Sequence, residues 1–263
     1  MNSPSPLGRL VGKRALVTAG AQGIGEAVTR ALLEAGCAVF IHYHSSADAA
    51  RALVSAASAR GLRCNSQQAD LTSTEGCNEL VATAVRYLGG IDVLINNAGA
   101  LVARRTLAEA DDEFWAEVMS LNVGSMRRVS RAAVPHLTAA AAKHGGASLV
   151  NLSSLAGRKG GHGGSLAYST AKGAVLTFTR ALAAELGPTG VRVNAVAPGL
   201  ILGTRFHTTH TSKESAQATI TGIPLGRAGT ADDVARAVVF LASEWNGFIT
   251  GATLDINGGV WMG

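Results

Sequence analysis

Apolar residues along the chain occur in two alternating patterns: short unbroken runs, and longer stretches in which they recur every three or four positions. From Arg14, Ala-Leu-Val-Thr reads as a buried strand that ends in Ala19-Gly20-Ala21-Gln22-Gly23-Ile24-Gly25, where a helical pattern begins. Ala38 to Tyr43 is a second strand and Ala47 to Arg60 a helix, with Ser45 and Asp48 as a capping box. Leu62 to Gln67 is a weaker third strand that ends near Asp70-Leu71, and Thr72 with Glu75 forms another capping box, opening a helix to about Leu88. Ile91 to Ile95 runs straight into Asn96-Asn97-Ala98-Gly99. Helical period resumes at Asp111 and continues past Asn122 to about Ala142. Ala147 to Leu152 is a fifth strand, Ser165 to Leu186 a helix, and Val191 to Val196 a sixth strand ending at Ala197-Pro198-Gly199. Thr230 and Asp233 cap a helix to Ala242, and Thr253 to Ile256 makes the last strand.

Strands alternating with helices predict the α/β class: a Rossmann-like, doubly wound parallel sheet of about seven strands with helices on both faces. Ligands of such sheets sit outside the carboxyl ends of the strands, where the irregular loops named above fall. No internal repeat or long linker divides the chain. At 263 residues it fits a single dinucleotide-binding catalytic domain, 1–263, with a substrate lid around 200–226.

Composition narrows the function classes. The chain is 47% apolar and has no apolar run near the roughly 18 to 20 residues that cross a bilayer. No membrane partner is expected, and Met-Asn-Ser-Pro-Ser-Pro lacks the basic-then-apolar order of a secretory signal. Cys37, Cys64 and Cys77 show no metal or redox spacing, which suits a reducing, cytoplasmic setting. The net charge of +5 is spread along the sequence and aromatics are only 5%, so no nucleic-acid surface is expected.

The candidate chemistry lies between Asn151 and Lys172. Tyr168 and Lys172 are four apart, so a helix starting at Ser165 places an ammonium beside a phenol on one face. A close cation favours the phenolate and is expected to lower the Tyr168 pKa from its ordinary value of about 10. Ser153 or Ser154 is placed to hold a substrate oxygen beside that phenol. The turn after the first strand is a phosphate-binding arrangement, since glycines admit a pyrophosphate and a helix N-terminus offers unpaired N–H groups.

With these pieces in order, the chain resembles the classical short-chain dehydrogenases/reductases from about Gly12 to Gly259, ketoreductase-type members among them. The resemblance implies a cofactor turn at Thr18, Gly20, Gln22, Gly23, Ile24 and Gly25, an adenine contact at Asp70 and Leu71, and a sheet-steadying segment at Asn96, Asn97, Ala98 and Gly99, of which the last three also meet the cofactor. It implies a catalytic tetrad of Asn122, Ser154, Tyr168 and Lys172, and a nicotinamide-side element of Pro198, Gly199, Leu200 and Ile201. In that scheme Tyr168 exchanges the proton, Lys172 lowers its pKa and holds the nicotinamide ribose, Ser154 orients the carbonyl, and Asn122 anchors a water. Two departures stand out: Ala19 occupies the family's first glycine position, and the interval from Ser154 to Tyr168 is one residue longer than the commonest spacing.

Tyr43-His44-Ser45-Ser46, at the end of the second strand, carries no carboxylate to repel a 2′-phosphate, so NADP(H) is the expected cofactor, with NAD(H) the alternative. His42 with His44, and His207 with His210, lack a carboxylate or cysteine set, so no metal is expected. The implied reaction interconverts a ketone and a secondary alcohol. A 3-oxoacyl thioester on an acidic carrier protein is one candidate, with Arg104, Arg105, Arg158 and Lys159 either a docking rim or scattered surface charge. The alternatives are an NAD(H)-dependent sugar, polyol or alcohol dehydrogenase and, in a different class, a non-catalytic dinucleotide-binding sensor or scaffold. Family resemblance further implies a homotetramer built on the helix of Tyr168 and that of Asp111 to Ala142.

Overall fold

The computed structural model describes residues 10–204, 212–243 and 247–263. Among these, seven strands form one sheet: β1 Arg14–Val17, β2 Ala38–Tyr43, β3 Cys64–Gln68, β4 Val93–Asn96, β5 Ala147–Leu152, β6 Val191–Pro198 and β7 Thr253–Ile256. Their order is β3-β2-β1-β4-β5-β6-β7 and every pair is parallel. The helices are α1 Gly23–Glu34, α2 Ala47–Ala59, α3 Thr74–Leu88, α4 Asp112–Met119, α5 Ser125–His144, α6 Ala156–Lys159, α7 Leu166–Leu186, α8 Lys213–Thr221 and α9 Ala231–Ala242.

The two-residue period of the strands sorts their side chains between two cores. Leu16, Phe40, Leu94 and Leu149 pack with Leu80 and Val81 of α3, Leu137 of α5 and Leu186 of α7. Val17, Ile41, Ile95 and Val150 point the other way, onto Val28 and Leu32 of α1, Leu53 of α2, and Val234 and Val238 of α9. Burial on both faces explains why these strands read as continuous apolar runs rather than alternating ones. A smaller cluster joins Phe114 and Val118 of α4 to Ala167 and Ala171, fixing the start of α7. Strand order reverses between β1 and β4, so the crevice of the sheet opens at the carboxyl ends of those two strands.

Several expected boundaries move for identifiable reasons. The Thr230–Asp233 capping box is present, its side-chain and backbone bonds reciprocated. The Thr72–Glu75 box is not: Asp70 Oδ1 accepts from both the N–H and the hydroxyl of Thr72, and the cap passes to Ser73, whose oxygen accepts from Gly76 N–H. Nor does Ser45 cap α2, which starts after Ser46 without a side-chain cap. The helix expected from Asp111 to Ala142 is divided by a π-turn at Ser120–Gly124. Within the expected lid, α8 is a helix that the sequence pattern did not predict, while His207 and His210 lie outside the described residues.

Candidate active site

Three loops meet at the carboxyl edge of β1, β4 and β5. Thr18, 1% exposed, joins the first two: its Oγ1 accepts the N–H groups of Asn97 (2.9 Å) and Ala98 (3.0 Å) and donates to the Ile95 carbonyl (3.3 Å). Asn97 returns the contact through Nδ2, which donates to the carbonyls of Thr18 (3.1 Å) and Ala19 (3.0 Å). Ala19 is left-handed at φ +48°, which accounts for a glycine being usual at this point of the resembled family. Gly20 packs tightly against Thr29 and Val17 and, like Thr18, supports the turn from below. A side chain on Gly25 has no room, because its Cβ would lie 2.1 Å from the Ala19 carbonyl oxygen. Gln22 gives α1 no side-chain cap, so the first-turn N–H groups of Gly23, Ile24 and Gly25 have no partner within the helix.

His42 is a member of this site that sequence reasoning weighed only as a metal ligand. It is 3% exposed; Nδ1 accepts from the Ala19 N–H (3.0 Å), and Nε2 stands 3.1 Å from the Ala69 carbonyl. That pair of partners requires the neutral Nε2–H tautomer. Burial pushes its pKa down to about 4. The readable signal was its alternation with the core residue Ile41 on β2, which buries a histidine beside the glycine turn.

The second loop is held by amides. Asn96 Nδ2 donates to Ser130 Oγ and to Asn151 Oδ1 on the neighbouring strand, both at 2.9 Å, and Asn151 passes the contact on to Thr179 on α7. Asn122 lies inside the π-turn, 1% exposed, with Nδ2 donating to the carbonyls of Ala100 (2.8 Å) and Val118 (2.9 Å) and Oδ1 accepting from Ala100 N–H (3.1 Å). Its side chain therefore fixes the loop after β4. Gly99 fits between Asn122 and Lys172, where a Cβ would come within 2.6 Å of Asn122 Oδ1 and 2.9 Å of Lys172 Nζ.

The third loop carries the reactive pair. Tyr168 hydrogen-bonds with Ser154, whose Oγ also accepts from Ala156 N–H (3.1 Å). Ser153 is engaged elsewhere, donating to the Lys172 carbonyl at 2.8 Å, so Ser154 is the serine beside the phenol. Lys172, 4% exposed, donates from Nζ to the Leu152 carbonyl (3.0 Å) and stands 5.7 Å from the centre of the Tyr168 ring. Gly157 lets α6 lie on α7; its Cβ would be 2.6 Å from the Lys172 carbonyl carbon. The longer interval to Tyr168 is taken up by Gly160 and Gly164, at φ +78° and +73°.

The electrostatics depart from the expectation that Lys172 lowers the Tyr168 pKa. Burial is the largest influence and pushes Tyr168 up to about 12, only partly countered by the hydrogen bond with Ser154. The same burial brings Lys172 down to about 8. Both groups are driven towards their neutral forms.

A cleft of about 710 Å³ runs along this edge and brings together Gln22, Gly23, Ile24, Gly25, Asn97, Gly99, Ser154, Tyr168, Lys172, Pro198, Gly199, Leu200 and Ile201. Tyr43, His44, Ser45, Ser46 and Asp70 are not among its walls; they stand at the outer ends of β2 and β3. Leu71 is 5% exposed and packs in the core, so its side chain is unavailable to a ligand there. Sequence reasoning placed Ser215 and Thr219 of α8 only within the expected lid and gave His162 no role, yet all three line the cleft. No group of three or more metal-binding side chains occurs among the described residues.

A glycine-walled crevice at the switch point of a parallel sheet, beside a tyrosine–lysine pair, is the arrangement of a dinucleotide-dependent oxidoreductase, and comparison with known proteins agrees. The chain belongs to the short-chain dehydrogenase/reductase family. A family model described as enoyl-(acyl carrier protein) reductase matches residues 18–261. Nodulation protein G of Azospirillum brasilense is 37% identical, over 94% of this chain and 98% of its own. A 3-oxoacyl-[acyl-carrier-protein] reductase of Staphylococcus aureus is 33% identical, over 95% and 98%. The crystal structure of NADH-dependent reductase A1-R′ complexed with NAD superposes with a TM-score of 0.87 at 34% identity, over 98% of this chain and 100% of that one. The protein is thus an NAD(P)-dependent oxidoreductase acting on carbonyl or alcohol groups.

Proposed function

We propose that the enzyme reduces a ketone to a secondary alcohol, with NADP(H) as preferred cofactor and Tyr168 as proton donor. The observation that carries this reading is the Ser154–Tyr168–Lys172 set on the cleft wall, with Lys172 buried and the other two partly exposed. A phenol held protonated by burial, and hydrogen-bonded with a serine hydroxyl at the cleft wall, is poised to donate to a carbonyl oxygen. When bound, the nicotinamide supplies the hydride. The residues present fit such a cofactor: side chains are excluded at Gly25 and Gly99, and α1 presents unclaimed N–H groups to a pyrophosphate.

In this mechanism Ser154 and Tyr168 orient the carbonyl oxygen, and the Tyr168 proton passes to that oxygen to complete the alcohol. Lys172 is held by the Leu152 carbonyl beside the Tyr168 ring and would hold the nicotinamide ribose. Asn122 keeps Ala100 and Gly99 in place beneath them. For the cofactor, Ser45 and Ser46 at an uncapped helix start, with no carboxylate between Tyr43 and Ser46, suit a 2′-phosphate. Asp70 belongs at the adenine, and residues 200–226 form the substrate lid of one catalytic domain. The assembly is a cytoplasmic homotetramer joined through α4, α5 and α7.

The test is absorbance at 340 nm with NADPH and NADH against ketones, keto esters and 3-oxoacyl thioesters. Turnover with NADPH well above that with NADH, reduced at least a hundredfold in kcat by Tyr168→Phe, is the expected result. A Tyr168→Phe enzyme with full turnover refutes the mechanism, and preference for NADH refutes the cofactor assignment. Tight cofactor binding without turnover points to the sensor.

A further inference from the structure

We propose that the substrate is a short oxo acid, its carboxylate held at the cleft mouth by Arg104 and Lys159 beside His162. This deepens the ketone-reduction reading and rests on it. The walls of the cleft contain no aspartate or glutamate among the described residues, whereas Arg104, Lys159, His162 and the buried Lys172 all line it. Lys172 belongs to the reacting pair. Of the other three, Arg104 comes from the loop after β4, Lys159 from the end of α6 and His162 from the loop before α7.

Arg104 is exposed, like Lys159 and His162, but it is tethered. Its Nη1 donates to the Gly163 carbonyl at 3.1 Å, and its Cβ lies so close to Gly164 that a side chain there would approach to 3.0 Å. That single bond leaves most of the guanidinium donors for an acceptor in the cleft. Among the described residues neither Arg104 nor Lys159 is paired with a carboxylate.

Their neighbours are neutralised within the fold, and this separates a small anion from an acidic protein partner. Arg105 pairs with Asp111 at 3.4 Å and lies 4.5 Å over the Phe114 ring. Arg158 pairs with Asp255 at 3.0 Å and lies 4.8 Å over Trp261. A docking rim for a carrier protein needs these charges facing outward. What remains are two cations without carboxylate partners in the cleft that Tyr168 also lines, suited to one anionic group on the reacting molecule.

The experiment compares kcat/KM with NADPH for acetoacetate against ethyl acetoacetate, and for dihydroxyacetone phosphate against dihydroxyacetone. The carboxylate is expected to exceed its ester about tenfold and to exceed the phosphate, and the advantage shrinks as ionic strength rises. Arg104→Gln and Lys159→Gln each lower the acid-to-ester ratio several-fold, and Arg104→Glu inverts it. Arg105→Gln leaves the ratio where it was. Measuring both substrates on each variant makes the ratio independent of how much enzyme folds. Esters reduced as well as acids overturn this inference and leave ketone reduction standing. A phosphate advantage without a carboxylate one reassigns the anion and overturns it too. Silence on every ketone with NADPH bound overturns both readings.

Discussion

Replacing His42 with leucine tests the support of the glycine turn, and its size follows from the geometry. The imidazole is neutral in the fold because Nδ1 must accept from Ala19 and because burial holds its pKa near 4, against 6.5 in an unfolded chain. The nearest charged groups offset each other, His44 favouring the neutral form and Asp70 the protonated one. A depressed histidine pKa means that the stabilisation is complete above pH 6.5 and is lost as pH falls towards 4. In that window the unfolded chain binds a proton that the fold refuses. Between pH 7.5 and pH 5 the wild type should therefore lose about 2 kcal/mol through this residue alone. His42→Leu leaves the Ala19 N–H and the Ala69 carbonyl without their partner, costing about 2 kcal/mol or more at pH 7.5. Its stability no longer carries the histidine titration, so the two proteins converge in acid. Urea unfolding at both pH values and one protein concentration measures this; every other titrating group cancels in the comparison. Parallel stability curves, with the gap as wide at pH 5 as at pH 7.5, would show that His42 is not held neutral between those backbone groups.

Ala19→Gly removes the cost of a left-handed alanine at φ +48°, partly offset by greater freedom in the unfolded chain, and should stabilise by about 0.5–1 kcal/mol. A melting temperature that rises by about 1–4 °C agrees, and one that falls shows that the alanine methyl has a packing role. Gly157→Ala forces α6 off α7 against the Lys172 backbone, so kcat should fall more than tenfold while the melting temperature drops by only a few degrees. Wild-type turnover in that variant places the Lys172 backbone outside the reacting geometry. With Lys172 near 8 and Tyr168 near 12, log kcat/KM for reduction should be level below about pH 8 and decline above it as the ammonium loses its proton. The residual rate of Lys172→Met should show no such break; a break that persists belongs to another group.

The central strands were legible because they are buried on both faces: Leu16 and Val17 feed opposite cores, and nothing in such a run interrupts the apolar signal, whereas the edge strand β3, half exposed, read weakly. The glycine turn and the Tyr168–Lys172 spacing were legible for a related reason, since close backbone approach and a helical repeat both leave marks in sequence. What could not be read was competition between equivalent local choices. Thr72 and Ser73 both make good caps, and only the side chain of Asp70, which claims Thr72, decides between them. The π-turn around Asn122 keeps the apolar repeat of a continuous helix, so its extra residue is invisible until Asn122 is seen bonding to Ala100. Helix α8 buries only Ala216, which leaves no face for a pattern to reveal. Charges near the cleft were readable as residues but not as partners: Arg158 and Arg104 differ in having, or lacking, an aspartate across the fold.

The same limit explains the one electrostatic expectation that reverses. Spacing on a helix places Lys172 beside Tyr168 and predicts an acidic phenol; it carries no information on how much water the fold removes. Removal of water acts on each group separately, raising the phenol and lowering the ammonium, and here it is the largest influence on both. A phenol that begins protonated has its proton in place for a carbonyl. Alcohol oxidation must instead begin from a phenolate in a site that opposes that charge. The packing of α4 and the π-turn against the start of α7 therefore bears on the protonation from which the phenol starts, and at neutral pH that is the protonated form.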